Sequence, residues 1–288
     1  MKENTGGDMM EDQMTEETIR EYQDYLIAEE HETGTVEKYL RDIRSFFMWL
    51  SGKRVEKTLT VEWKDHLVKS GYSPSTVNSM LSSLNGFLAF MGWEKCRVKF
   101  LRIQKAPFRK KERDLQQNEY ERLKRTARLK GNERLLLVME TICGTGVRVS
   151  EVKYITVEAA KKRKAEIFLK GKVRVILLAD KLCRKLLDYA KKQGISEGEV
   201  FVTRSGKGLS RQYIWQEMKK LCRDAHVEPS KVYPHNLRHL FAKLFYQVSK
   251  DIVKLADVLG HSSIETTRIY LMSTGIEHAR WLERMGVV

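Results

Sequence analysis

The chain has 288 residues, enough for two ordinary domains, and 42% of them are hydrophobic, so each half can bury a core. Its formal net charge is +15, an excess that repels itself unless a polyanion such as nucleic acid or an anionic membrane shares it. No secretory leader, lipidation signal, basic amphipathic anchor or membrane-length apolar run is visible, and the four cysteines are scattered without a CxxC pair, so a membrane partner, a disulfide framework and a zinc site are all disfavoured.

Taken in chain order, residues 1–14 read as a flexible lead, acidic and polar. A helix is expected near 16–30. In "TVEKYLRDIRSFFMWL", Val36, Tyr39, Leu40, Ile43, Phe46, Phe47 and Leu50 recur at helical spacing and form one apolar stripe. After a shorter helix near 60–70, "SPSTVNSML" opens another, with Ser73 suited to the N-cap and Pro74 to the first helical position. Its stripe is Val77, Met80, Leu81, Leu84, Phe87, Leu88 and Met91. Residues 15–105 are thus expected to form an all-helical bundle. Pro107 and the run Arg109, Lys110, Lys111 and Arg113 mark residues 106–115 as a charged linker, either a solvated connector or a strap along a phosphate backbone.

From residue 116 the pattern is mixed. "ERLLLVMETICGTGVRVSEVKYI" reads as helix, glycine-broken turn and helix. "AEIFLKGKVRVILL" reads as a β-hairpin turning at Lys170-Gly171. Helices are expected at about 181–193, 210–225, 234–249, 251–259, 263–271 and 276–285. The fold class is therefore mainly α with a small β-hairpin, a helical bundle followed by a mixed α+β domain over 116–288.

Several residues in this second half have the chemistry to handle a phosphate. Arg148 is expected in the first turn of the helix after the two glycines, where free amides and the helix dipole favour anions, with Glu151 on the same face to hold it. In "YPHNLRHLFAKLF", His235 and Arg238 project from one face and His239 lies one turn from His235. A metal site there is disfavoured, because an arginine between the histidines repels a cation. Lys170 or Lys172 at a hairpin tip is ordinarily only solvated, but a hairpin can deliver an ammonium group to a leaving oxygen. Tyr270 in "TTRIY" is, alone, an ordinary packing residue. Together these side chains supply what phosphoryl transfer without metal requires: cations for the non-bridging oxygens, a proton donor and a nucleophile.

The ordered segments "GTGVRVSEV", "FLKGKVRVILL", "PHNLRHLFA" and "LADVLGHSSIETTRIY" resemble those of the tyrosine recombinases, the group of phage integrases and Xer-like site-specific recombinases. The helical first half is similar to the family's core-binding region, so the likeness extends over nearly the whole chain. It implies that Tyr270 attacks the scissile phosphate, leaving a 3′-phosphotyrosyl link and a free 5′-hydroxyl. Arg148 and Arg238 would grip the non-bridging oxygens, Glu151 would orient Arg148, and His261 would hydrogen-bond the same phosphate. His235 would accept the tyrosine proton or position Tyr270. Lys170 matches the general-acid lysine, with Lys172 a contender because the hairpin is a residue shorter than the usual pattern. The strand after it also lacks the usual proline, and Leu240 stands where threonine is common.

The resemblance further implies double-stranded DNA at a recombination site as partner. It implies a homotetramer on two duplexes, assembled from a monomer or weak dimer or with a related recombinase, no cofactor and no metal, and a cytoplasmic, nucleoid-associated location. The helix from Ser73 would present Ser75, Asn78, Ser79 and Ser82 to a groove, with Arg109, Lys110 and Lys111 on phosphates. The segment after Tyr270 would form a tail helix docking on a neighbouring protomer. Competing readings are a type IB topoisomerase and a DNA-binding regulator without turnover.

Overall fold

The computed structural model describes residues 13–103, 114–169, 172–270 and 283–285. The chain divides into two compact units, Met1–Lys105 and Ala106–Val288. The first is built from α1 (Glu16–Ala28), α2 (Thr33–Leu50), α3 (Lys57–Lys69) and α4 (Pro74–Phe90). The expected stripes are what it buries: Val36, Leu40, Ile43, Phe46 and Leu50 of α2 face Val77, Leu81, Leu84, Phe87 and Leu88 of α4, with Ile19, Tyr22, Trp63 and Leu67 completing the core. Ser73 caps α4 through its hydroxyl, which accepts from the Thr76 amide at 3.2 Å, and Pro74 occupies the first turn.

One polar cluster crosses this apolar seam. Asp42 is buried and takes Lys38 Nζ at 2.6 Å and the Ser83 hydroxyl at 2.9 Å, joining α2 to α4 with its charge matched. Two corrections belong here. Met14, expected in the flexible lead, is buried in the bundle core. Asn78, expected to face a groove, donates to the Leu101 carbonyl at 2.9 Å and accepts its amide at 2.8 Å. Asn85, two turns on, does the same for Val98. Among the described residues the segment after the bundle pairs with no strand, and these two amides satisfy its backbone at Val98 and Leu101. Ser75 and Ser82 remain exposed, and Ser79 is half-buried.

The second unit contains α5 (Gln117–Leu129), α6 (Glu133–Thr145), a 3-10 segment (Val149–Tyr154), α7 (Val157–Lys162), β1 (Lys164–Leu169), β2 (Lys172–Leu177), α8 (Asp180–Lys192), α9 (Arg211–Ala225), α10 (Pro234–Ser249), α11 (Ile252–Leu259) and α12 (Ile264–Arg268). The linker is shorter at its end than expected: Leu115 is in this unit's core and the buried Asp114 pairs with Lys243 of α10 at 2.5 Å. Arg109, Lys110 and Lys111 lie outside the described residues, as do Lys170, Gly171, the Lys172 side chain and most of the expected tail helix.

The hairpin is antiparallel, pairing Lys164 with Leu177 and Leu169 with Lys172. Because side chains alternate, this register turns Ala165, Ile167 and Ile176 inward and leaves Phe168, Val173, Val175 and Leu177 exposed. Arg174, opposite Ile167, therefore points inward as well. The short α7 was not anticipated; Thr156 caps it by accepting from the Ala159 amide at 3.1 Å.

Helix α6 ends at Gly146, whose φ of +69° is left-handed. A Cβ there would sit 2.5 Å from the Phe241 ring of α10 and 3.1 Å from Leu259 of α11. Gly146→Ala is expected to destabilise this unit by more than about 1 kcal/mol, since strain and overlap add. Calorimetry should show its melting temperature lowered by at least about 2–4 °C; an unchanged transition would contradict the packing described.

Candidate active site

The site assembles where α6, the 3-10 segment, β2, α10 and α11 end or cross. Its anchor is Glu151, fully buried in the 3-10 segment. One carboxylate oxygen accepts the Arg148 amide at 2.7 Å and the other accepts Arg148 Nη1 at 2.7 Å. Arg174 Nη1 reaches both oxygens from β2, at 3.2 and 2.9 Å. Burial by itself would raise this carboxyl, but the Arg148 amide, the Arg174 charge and the Arg148 guanidinium outweigh it and hold Glu151 below the usual range.

Arg148 differs from expectation. It is extended and lies before a six-residue 3-10 segment, and its own amide is taken by Glu151. A helix dipole therefore contributes little here, and the positive charge at this point is that of the guanidinium.

Arg238 is buried on α10. Its Nη1 donates to the Gly146 carbonyl, and its Nη2 to the Leu259 carbonyl at 2.7 Å and to His261 Nε2 at 2.9 Å. Burial, then the Arg148 charge, push its pKa down to about 10, opposed by a hydrogen bond with Tyr270; it remains cationic at neutral pH. Gly260, with φ +63°, turns the chain out of α11 so that His261 follows directly.

An arginine only donates, so His261 Nε2 must accept, which puts the imidazole proton on Nδ1, 2.8 Å from the buried Thr267 hydroxyl. Burial, then the charges of Arg238, Arg148 and Arg174, push the His261 pKa down to about 4.

Tyr270 is 3% exposed. Its ring stacks on His261 with centroids 5.7 Å apart, meets His239 at 4.5 Å and lies 6.0 Å from His235. His239 is buried beside the tyrosine, a contact that its helical spacing from His235 did not by itself assign. His235 is exposed and lines, with Arg148 and Arg238, a cleft of about 730 Å³. Arg211, Gln212 and Trp215 of α9 and Tyr233 form its other walls. Thus five of the sequence-predicted residues, Arg148, Glu151, His235, Arg238 and His261, converge with Tyr270. The residues that sequence reasoning missed are Arg174, Thr267, and Arg211 with Trp215. An "SRQYIW" helix start after a loop was the available signal for the last pair.

Comparison with known proteins agrees with this architecture. The model of the phage integrase family matches residues 113–275, and that of the phage integrase N-terminal SAM-like domain matches residues 19–95. Tyrosine recombinase XerD of Staphylococcus epidermidis is 28% identical over 274 residues, covering 88% of this chain and 92% of the relative. Tyrosine recombinase XerA of Thermococcus kodakarensis is 28% identical over 272 residues, covering 92% and 93%. Among solved structures, XerH bound to its difH substrate before cleavage superposes with a TM-score of 0.65 at 19% identity, covering 93% of this chain and 84% of that one. A lambda integrase dimer bound to a COC′ core site gives 0.70 at 16%, covering 90% and 78%. The chain belongs to the phage integrase family and is a tyrosine recombinase of Xer-like type, an enzyme that transfers DNA strands.

The low His261 pKa fixes a sign. The folded imidazole takes up its proton below the unfolded value of about 6.5, so the stability it contributes is present above that pH and is lost as pH falls towards 4. In an imidazole proton titration the His261 resonance should show no inflection between about pH 5.5 and 8. A midpoint near 6.5 would contradict the buried, arginine-flanked environment.

Proposed function

We propose that this chain cleaves and rejoins DNA at specific sites through a covalent 3′-phosphotyrosyl intermediate. The Tyr270 oxygen attacks the scissile phosphorus, forming the P–O bond to the phenol as the bond to the 5′ oxygen breaks. His235 receives the phenolic proton, and Lys170 or Lys172 supplies one to the departing 5′ oxygen. Arg148, Arg238 and His261 offset the charge growing on the non-bridging oxygens, with Glu151 orienting Arg148. A 5′-hydroxyl from the partner duplex then attacks the phosphotyrosine, giving a Holliday junction. One phosphodiester-level bond replaces another at each step, so the exchange is close to balanced in energy.

The observation that carries this reading is the convergence of Arg148, Arg238 and His235 on one cleft, with His261 bonded to Arg238 and the buried Tyr270 ring packed against His235, His239 and His261. The DNA partner is supported by relatives solved on DNA: XerH on difH and lambda integrase on a core site. The +15 charge supports it independently. Arg211, on the cleft wall, would extend the cationic surface along the backbone, with Ser75 and Ser82 of α4 as groove-facing candidates in the first unit. The assembly proposed is a homotetramer on two duplexes, and the location the cytoplasm; no helix among the described residues is long and apolar enough to cross a membrane.

A duplex nicked close to the cleavage point loses the short 5′-hydroxyl strand and traps the intermediate. Wild-type protein should then give an SDS-resistant adduct, and Tyr270→Phe none; an adduct that persists in Tyr270→Phe would identify another nucleophile. Deleting residues after Gly275 should abolish recombination while leaving DNA binding, if that segment joins protomers. Full recombination by the truncated chain would rule the role out.

A further inference from the structure

Arg174 is the cation of the site that has no part in the chemistry above, and its surroundings are unusually specific. It lies within β2, and the register turns it inward, where its side chain is 12% exposed. One guanidinium nitrogen, Nη1, bridges both oxygens of Glu151; the other, Nη2, donates to the Val258 carbonyl at 2.7 Å. Its Nε is buried without a hydrogen-bond partner among the described residues and lies against Gly260, where an added Cβ would come within 2.8 Å of it. So Gly260 is glycine for two reasons: its φ is left-handed, and Arg174 occupies the space a side chain would need.

The carbonyls closing α11 account for the rest. Those of Ala256 and Asp257 are taken by the amides of His261 and Gly260. Those of Val258 and Leu259 meet no backbone donor among the described residues, and two arginines take them: Arg174 the first and Arg238 the second. Arg174 therefore touches both the carboxylate that aims Arg148 and the turn that presents His261.

We infer that Arg174 is a positioning residue of the phosphate pocket, holding Glu151 and the end of α11 so that Arg148 and His261 meet the non-bridging oxygens. The inference rests on the strand-transfer reading above. Its contacts lead to the oxygen-binding side of the reaction, not to the leaving group, and that difference is measurable. A methylphosphonate at the scissile position lacks one charged oxygen and so depends less on the cations that offset it. A 5′-bridging phosphorothiolate has a sulfur leaving group that departs without a proton, and so depends less on the general acid.

The experiment measures the rate of adduct formation by the full chain on nicked duplexes carrying the ordinary phosphodiester, the methylphosphonate or the phosphorothiolate. Arg174→Ala is expected to lose about 100-fold on the ordinary substrate, the scale of a small misplacement of pocket groups. The loss should shrink at least tenfold on the methylphosphonate and stay unchanged on the phosphorothiolate. Arg174→Lys keeps charge and most of the packing but cannot bridge Glu151 and Val258 together; it should fold like wild type and show the same pattern with a smaller loss. Equal losses on all three substrates would mean a structural role only and overturn the inference, as would selective rescue by the phosphorothiolate or wild-type rates in both variants. A wild-type chain giving no Tyr270-dependent adduct on any substrate would instead overturn the strand-transfer reading.

Discussion

The buried carboxylate of Glu151 is the constraint on which the catalytic unit depends. Taking a carboxylate out of water costs several kcal/mol, and only close cations and donors offset it. Glu151 has both: Arg148 through its amide and side chain, and Arg174 through a bridging nitrogen. The dependence is mutual. Arg148, Arg174 and Arg238 lie near enough for their charges to act on one another, adding to burial in pushing the Arg238 and His261 pKa values down. Without the carboxylate the three cations would drive the pocket apart; with it, three positive charges and one negative leave an excess of two for an incoming phosphate. Removing one partner of such a buried pair typically costs about 3–5 kcal/mol, so the charge count of this pocket is also a condition of its folding.

The end of α11 supplies the second half of the frame. A helix C-terminus exposes carbonyls and a partial negative charge, usually met by water or a surface lysine. Here two active-site arginines meet it. Arg238, proposed to meet the phosphate, is thus held by neutral acceptors that leave its charge intact, while Arg174 ties the same turn to the Glu151 carboxylate. Gly260 makes this compact, since its left-handed turn puts His261 one residue beyond the clamp. The stretch "LGHSSIETTRIY" therefore encodes a helix end, a turn and an imidazole whose other nitrogen faces Thr267.

Much of this was legible in the sequence, and the rest was not for physical reasons. The α2 and α4 stripes have strong 3.6-residue periodicity, and burial follows it, with Tyr39, Phe47, Met80 and Met91 at the margins only partly buried. Arg148, Arg238, His261 and Tyr270 were legible because their motifs occur in order. Arg174 was not: an arginine between two valines in a hairpin reads as a solvent-facing residue, yet the register exposes the valines and buries the arginine. Asn78 misled in the opposite direction, since a polar residue on a helix reads as surface until an unpaired backbone segment claims it. The Arg148 helix start failed because a 3-10 segment has the same short-range spacing as a helical turn.

Both ring nitrogens of His261 are already engaged, and this sets a condition on how the proposed phosphate contact forms. His261 Nε2 accepts from Arg238, so it has no proton to offer an anion in this arrangement. For the proposed contact to a non-bridging oxygen, the ring must carry its proton on Nε2 and Arg238 must redirect that donor to the phosphate. Nδ1 then needs a donor in place of an acceptor. Thr267 meets both demands, because a hydroxyl accepts from Nδ1–H in one state and donates to bare Nδ1 in the other by rotating its own proton. A carbonyl or carboxylate at that position would hold His261 in the first tautomer. The fully buried Thr267 is thus the residue type that lets a neutral imidazole change sides without acquiring a charge among three guanidinium groups.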